Sequence, residues 1–140
     1  MKQLKRRVLF LCTHNSARSQ MAEALLRLDG GGRFEAHSAG TEVTRVNPFA
    51  IAVMAELGVD IGGQRSKHLR EYLDQPWDEV ITVCDAANEA CPLFPAGRNR
   101  RHWSFDDPSR ATGTEDEQLA VYRRVRDEIR ARIERELLTS

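Results

Sequence analysis

Val8-Leu9-Phe10-Leu11-Cys12 is an uninterrupted apolar run, the pattern of a strand buried on both faces. A loop follows, and then Met21, Leu25 and Leu28 recur at three- and four-residue spacing, which predicts a helix from about Ser16 to Leu28, ended by Gly30-Gly31-Gly32. Phe34 to Ser38 reads as a second short strand, stopped by Gly40. Asn47-Pro48 has the form of an N-cap followed by proline at the first helical position; Ala50 to Leu57 continues that helix and Gly58 stops it. Lys67 to Leu73 is expected to form a short helix, Glu79 to Cys84 a buried strand and Arg101 to Phe105 a fourth strand. From about Glu115 to Leu138 a long amphipathic helix places Leu119, Tyr122, Val125, Ile129, Ile133 and Leu137 on one stripe. Strands alternating with helices predict an α/β fold, a single-domain three-layer sandwich spanning residues 1–140, with a four-stranded parallel sheet flanked by helices and joined by right-handed crossovers.

A chain of 140 residues suits one core, and 41% hydrophobic with 30% charged residues is the profile of a globular protein. Twenty-one basic residues balance 21 acidic ones, so nothing global points to nucleic acid. Locally, Arg98, Arg100 and Arg101 cluster, and the alternation of Arg with Asp and Glu from Arg123 to Arg135 is that of a solvated helix face. No apolar run approaches the roughly 20 residues of a membrane helix. The run behind the basic segment Met1 to Arg7 is too short for a signal peptide, so a cytoplasmic location is expected. Three cysteines in a reducing compartment suggest catalytic or redox use rather than structural staples.

The decisive segment is Cys12-Thr13-His14-Asn15-Ser16-Ala17-Arg18-Ser19, at the end of the first strand and the start of the first helix. In open α/β sheets ligands bind beyond the carboxyl ends of strands. A loop there presents backbone N–H groups and the positive end of a helix dipole to an anion. Arg18 adds a planar fork suited to two oxygens of a tetrahedral oxyanion. The same positive field favours the thiolate of Cys12 and makes it a nucleophile. Ser16 or Ser19 is placed to donate a hydroxyl to the sulfur, and Asn15 suits a left-handed loop position. The bland alternative is a buried cysteine at a strand end with Arg18 as an ordinary helix residue; the strand–loop–helix placement argues against it.

Cys84 and Cys91 are seven residues apart. If the segment were helical, their Cα atoms would lie about 10 Å apart, beyond the roughly 7 Å limit for a disulfide, so a bond would require it to unwind or fold over. Two independent buried thiols, or a zinc site lacking the usual Cys-x2-Cys spacing, are the other readings. Asp106-Asp107-Pro108 occupies a turn; proline biases Asp107 to extended geometry, which suits it to reach the pocket as a proton donor, whereas a plain turn aspartate is the alternative.

Residues Leu9 to Glu23 resemble the active-site segment of the low-molecular-weight tyrosine phosphatase superfamily, and Ser19-Gln20-Met21-Ala22-Glu23 resembles its thioredoxin-coupled arsenate reductase branch. The resemblance continues through Ser38-Ala39-Gly40, Cys84 to Pro92, His102 to Pro108 and Gly113 to Glu117, nearly the whole chain. It implies the low-molecular-weight phosphatase-like fold. It also implies that Thr13, His14, Asn15, Ser16, Ala17, Arg18 and Ser19 cradle arsenate, with phosphate or sulfate as analogues, and that Asp107 is the general acid. Three cysteines then act in relay: Cys12 attacks arsenate, Cys84 attacks Cys12 and releases arsenite, and Cys91 attacks Cys84. Thioredoxin, as external reductant, reduces the final disulfide, so no tightly bound cofactor is implied. Related reductases can hold potassium behind the loop, through positions matching Asn15, Glu23 and Ser38. The fourth position, acidic in the potassium binders, is Lys67 here, whose ammonium is suited to replace the cation and pair with Glu23. That substitution argues against a potassium requirement. His14 stands where glycine is usual, and Ala17 where a second loop cysteine is common.

Two other functions compete. The same loop serves a phosphomonoesterase acting on phosphotyrosine or small esters, but no paired tyrosines follow Asp107-Pro108. A non-enzymatic anion-binding or redox-sensing module would need no acid at Asp107. No metal, nucleic acid or membrane partner is expected, and the chain is read as a monomer.

Overall fold

The computed structural model describes residues 5–85 and 97–139. Four strands form one sheet: β1 (Arg6–Cys12), β2 (Phe34–Gly40), β3 (Glu79–Thr82) and β4 (Asn99–His102), all parallel, in the order β2-β1-β3-β4. Three α-helices of the described residues, α1 (Arg18–Gly30), α2 (Pro48–Ala55) and α3 (Glu115–Ile133), pack together through one hydrophobic cluster. That cluster includes Val8, Phe10 and Cys12 from one face of β1, Met21, Leu25 and Leu26 from α1, and Tyr122, Val125, Ile129 and Ile133 from α3. Leu9 and Leu11 point to the opposite face, where Tyr72, Trp77 and Val80 cover them. β1 is thus central and apolar on both sides, which is why its sequence shows no alternation.

The strand order has a functional corollary. The chain leaves β1 toward β2 on one side and later fills β3 on the other. The crevice beyond the carboxyl end of β1 therefore lies at a switch point in strand order, where ligands bind in open α/β sheets.

Several predicted bounds move. α1 begins at Arg18 rather than Ser16 and runs through Gly30; Gly31, at φ 54°, follows it and opens a 3-10 turn. Leu28 is 44% exposed, so the buried stripe of α1 passes through Leu26 instead. β2 continues to Gly40, α2 starts at Pro48 and ends at Ala55, and Lys67–Leu73 contributes only a 3-10 turn at Leu69–Tyr72. β3 ends at Thr82, and β4 is Asn99–His102, earlier than expected. Trp103 and Phe105, which suggested a strand, are instead buried core residues just past it, with Trp103 tilted against Phe10 at 6.0 Å. The last segment is α-helical to Ile133 and continues as a π-helical turn to Leu138.

Caps account for two of the helix starts. Asn47 accepts from the N–H groups of Phe49 and Ala50, and Thr114 forms a reciprocal capping box with Glu117. At the other end of α2, Glu56 accepts two hydrogen bonds from Arg123 of α3, at 2.9 and 2.7 Å, and one from Arg126 at 2.8 Å. These guanidiniums lower the Glu56 pKa to about 2. A carboxyl held below its ordinary range adds stability above about pH 4.5, and that contribution is lost as pH falls toward about 2. The group is partly exposed and screened, so Glu56→Gln should cost only about 0.5–1 kcal/mol at pH 7. In urea titrations the gap between variant and wild type should narrow steadily below pH 4.5; a gap independent of pH would contradict this account.

Candidate active site

Residues 13–17 leave β1, turn, and enter α1 without a conventional cap. Ala17 is at φ −125° and ψ −72° and supplies no side-chain cap, so the first N–H groups of the helix are left to face the loop. Asn15 takes the left-handed conformation, φ 50°, that its residue type tolerates. It is fully buried.

The orientation of the Asn15 amide follows from its partners. The backbone N–H of Lys67, which can only donate, reaches Asn15 Oδ1 at 2.8 Å. Gln20 Nε2 donates to the same oxygen at 2.9 Å and to the Asn15 carbonyl at 3.0 Å. Asn15 Nδ2 is therefore turned to Ser19 Oγ, 2.8 Å away, and Ser19 Oγ lies 2.8 Å from Cys12 Sγ. Ser19 Oγ thus accepts from Asn15 and sits within hydrogen-bond reach of the sulfur, to which its hydroxyl donates when Cys12 is a thiolate. Of the two serines considered from sequence, Ser19 is the one in contact with Cys12. Gln64 secures the other end of the chain by donating to Gln20 Oε1 at 2.6 Å.

A second layer clamps the loop from β2 and the segment after it. The Thr13 carbonyl accepts from the N–H groups of Thr41 and Glu42, both at 2.9 Å, and the His14 carbonyl accepts from Ser66 Oγ at 2.8 Å. The Asn47 N–H donates to the Ser16 carbonyl at 2.9 Å. Gly40 permits the close approach: a Cβ there would sit 2.6 Å from the Thr13 carbonyl oxygen and 2.7 Å from that of Cys12.

Arg18 is buried. Its Nη1 donates to the Phe105 carbonyl at 3.3 Å, and its Nη2 lies 3.6 Å from Asp107 Oδ2. Asp107 caps a 3-10 turn, where its other oxygen accepts from the N–H and hydroxyl of Ser109 at 3.0 and 2.7 Å. One carboxylate oxygen is thus fixed by the turn while the other faces Arg18. Asp106 points away, pairing with Arg124 at 3.1 Å. Cys12, Arg18 and Asp107 line one cavity of about 310 Å³, with His14, Ser16 and Ala17 from the loop.

Behind the loop, Glu23 is buried and accepts from Ser38 Oγ at 2.7 Å, with Lys67 Nζ at 3.3 Å and Arg27 Nη1 at 2.9 Å. The ammonium of Lys67 and the guanidinium of Arg27 both lie against this carboxylate. His14 sits on the rim with its Nε2 2.7 Å from Glu42. Among the described residues no cluster of three or more His, Cys, Asp or Glu is placed to hold a metal ion.

Cys12 is a free, buried thiol, whereas Cys84, fully buried two residues beyond β3, is disulfide-bonded. Cys91 lies outside the described residues, as does most of the segment between the two. Arg101, one of the clustered arginines of the sequence, is tied to Glu79 at 2.8 Å and Glu136 at 3.1 Å.

This arrangement matches a known family. The model for low molecular weight phosphotyrosine protein phosphatase covers residues 7–140. The chain belongs to that family. Its relatives include an arsenate reductase of Halalkalibacterium halodurans, 47% identical over 129 residues, 92% of this chain and 93% of the relative. Among solved structures, an arsenate reductase in the phosphate binding state superposes with a TM-score of 0.80 at 34% identity, covering 96% of this chain and 98% of the other. A thioredoxin-dependent arsenate reductase of Corynebacterium glutamicum superposes with a TM-score of 0.69 at 27% identity, covering all of this chain and 66% of that one.

Within the family frame, sequence reasoning missed Gln20, Gln64, Ser66 and Ser109 as supports. Gln64 and Ser66 have no local motif, their partners lying 44 and 52 residues away; Gln20 and Ser109 have near partners, 5 and 2 residues away. The buried polar start of α1 (Arg18, Ser19, Gln20 and Glu23) was a usable signal, since such residues bury only when partnered.

Two outcomes test the geometry. Ser19→Ala should slow alkylation of Cys12 by iodoacetamide by about 3- to 10-fold at neutral pH, the loss of one hydrogen bond to the sulfur, with an unchanged circular dichroism spectrum. Gly40→Ala should cost about 1–3 kcal/mol in urea unfolding, because its methyl group meets backbone rather than side chain.

Proposed function

We propose that this chain reduces arsenate to arsenite through a three-cysteine relay that thioredoxin resets. The arrangement that carries the reading is the single cavity lined by Cys12, whose sulfur contacts Ser19, together with Arg18 and Asp107. The names of its relatives supply the substrate.

Arsenate enters with its oxygens toward the N-terminal end of α1 and the fork of Arg18. The Cys12 thiolate attacks arsenic; a sulfur–arsenic bond forms, and one arsenic–oxygen bond breaks with Asp107 delivering the proton that lets water leave. The Cys84 thiolate then attacks the Cys12 sulfur. A sulfur–sulfur bond forms, the sulfur–arsenic bond breaks, and its electron pair remains on arsenic, which departs as arsenite. Cys91 attacks Cys84 in turn, frees the Cys12 thiolate and moves the disulfide to Cys84–Cys91; an external dithiol reduces it. A disulfide at Cys84 with Cys12 free is the combination left after that last exchange.

The sheet register states what the second step demands. Leu11 is opposite Thr82, and the Val83 N–H donates to the Leu11 carbonyl at 2.8 Å, so β1 and β3 deliver Cys12 and Cys84 to adjacent strand ends. Val83, just past β3, packs in the same core cluster as Cys12, and Cys84 follows it beyond the strand end.

The reading is tested by arsenite formation with a thioredoxin system. Wild type should turn over repeatedly. Cys84→Ser should release no arsenite, and Cys91→Ser should stop after one equivalent with Cys12 and Cys84 joined. Full cycling by either variant removes the relay. Rapid hydrolysis of p-nitrophenyl phosphate together with no arsenite would place the chain with the phosphomonoesterases, which use the same loop and acid.

A further inference from the structure

We propose that Arg45 is an outer oxyanion-binding residue, which draws a doubly charged anion to the mouth of the Cys12 cavity and sets its affinity there. The inference rests on the cavity being an oxyanion site, as argued above, and adds to it a residue outside the Cys12–Ser19 segment.

Arg45 lines the cavity together with Cys12 and Arg18, yet is exposed to solvent. Its place is set by its neighbours rather than by its own side chain. Thr44, just before it, donates from its N–H to Ser66 Oγ at 3.0 Å and from its hydroxyl to the His14 carbonyl at 3.3 Å. Val46 is buried in the core, and the Asn47 N–H holds the Ser16 carbonyl. The backbone that carries Arg45 is therefore fastened to the oxyanion loop on both sides.

The charges around the opening differ in what they are engaged with. Arg18 faces Asp107, and His14 on the rim is paired with Glu42. Arg45 has no carboxylate partner among the described residues, although the chain is rich in such pairs. An uncompensated guanidinium at the mouth of a cavity with low-dielectric walls raises the local concentration of anions and favours a dianion over a monoanion. It remains solvated, so it acts mainly as a charge, and lysine should serve nearly as well there, unlike at Arg18.

The test is equilibrium protection of Cys12 in the reduced full chain. Iodoacetamide labelling of the Cys12 peptide is followed by mass spectrometry against increasing inorganic phosphate or sulfate, which mimic the oxyanion without oxidising the thiols, for wild type, Arg45→Gln and Arg45→Lys, at low and high salt. Arg45→Gln should weaken protection by both anions about 3- to 10-fold at low ionic strength, with the difference shrinking toward about 1 M salt, where the Debye length is roughly 3 Å. Arg45→Lys should stay within about twofold of wild type. If Arg45→Gln is protected as well as wild type, or loses protection equally at both salt levels, the assignment of Arg45 is overturned while the oxyanion site stands. If neither anion protects wild type, the oxyanion site itself falls, and Arg45 with it.

Discussion

A single backbone donor, the N–H of Lys67, sets the polarity of the site. Because it reaches Asn15 Oδ1, the amide nitrogen of Asn15 turns to Ser19, whose hydroxyl lies 2.8 Å from the Cys12 sulfur. A backbone N–H donates and cannot accept, and so removes the ambiguity of the amide. The bond also joins parts of the chain 52 residues apart, so the surroundings of Cys12 exist only once the residues after β2 have docked on the β1–α1 loop.

The same docking brings charge behind the loop. Lys67 presents its N–H to Asn15 and its ammonium to Glu23, whose other oxygen meets Arg27 while Ser38 donates from β2. One residue thus serves both the hydrogen-bond chain to the sulfur and the neutralisation of a buried carboxylate. An unpartnered carboxylate at this depth would be costly, and the two cations offset that cost.

Much of this was legible in the chain. The continuous apolar run of β1, the Asn47-Pro48 start of α2 and the stripe of α3 each follow from a local rule, and each stands in the structure. Cys12, Arg18 and Asp107 were legible because loop, helix start and Asp-Pro turn have local signatures, and the cavity brings the three together. What was not legible depended on tertiary contact. Leu28 fits the helical period but lies beyond the reach of the sheet. Trp103 and Phe105 fall within the expected fourth strand, yet β4 ends at His102, and they are buried by ring packing, Trp103 against Phe10 and Phe105 against Trp103. Arg101 looked free in the sequence and is bound to Glu79 and Glu136, the latter 35 residues away. Gln64 carries no motif, and Arg45 is an ordinary exposed arginine until the fold sets it beside Cys12.

The Thr13 carbonyl, shared by the N–H groups of Thr41 and Glu42 over a bare Gly40, has a bearing on protein engineering. A loop of this design is not a portable cassette. Transplanting the Cys-to-Arg stretch onto another strand–helix junction would import Cys12 and Arg18 without the neighbouring strand end that holds the loop's curvature. A functional graft would have to carry both crossing peptides and the glycine that lets them touch.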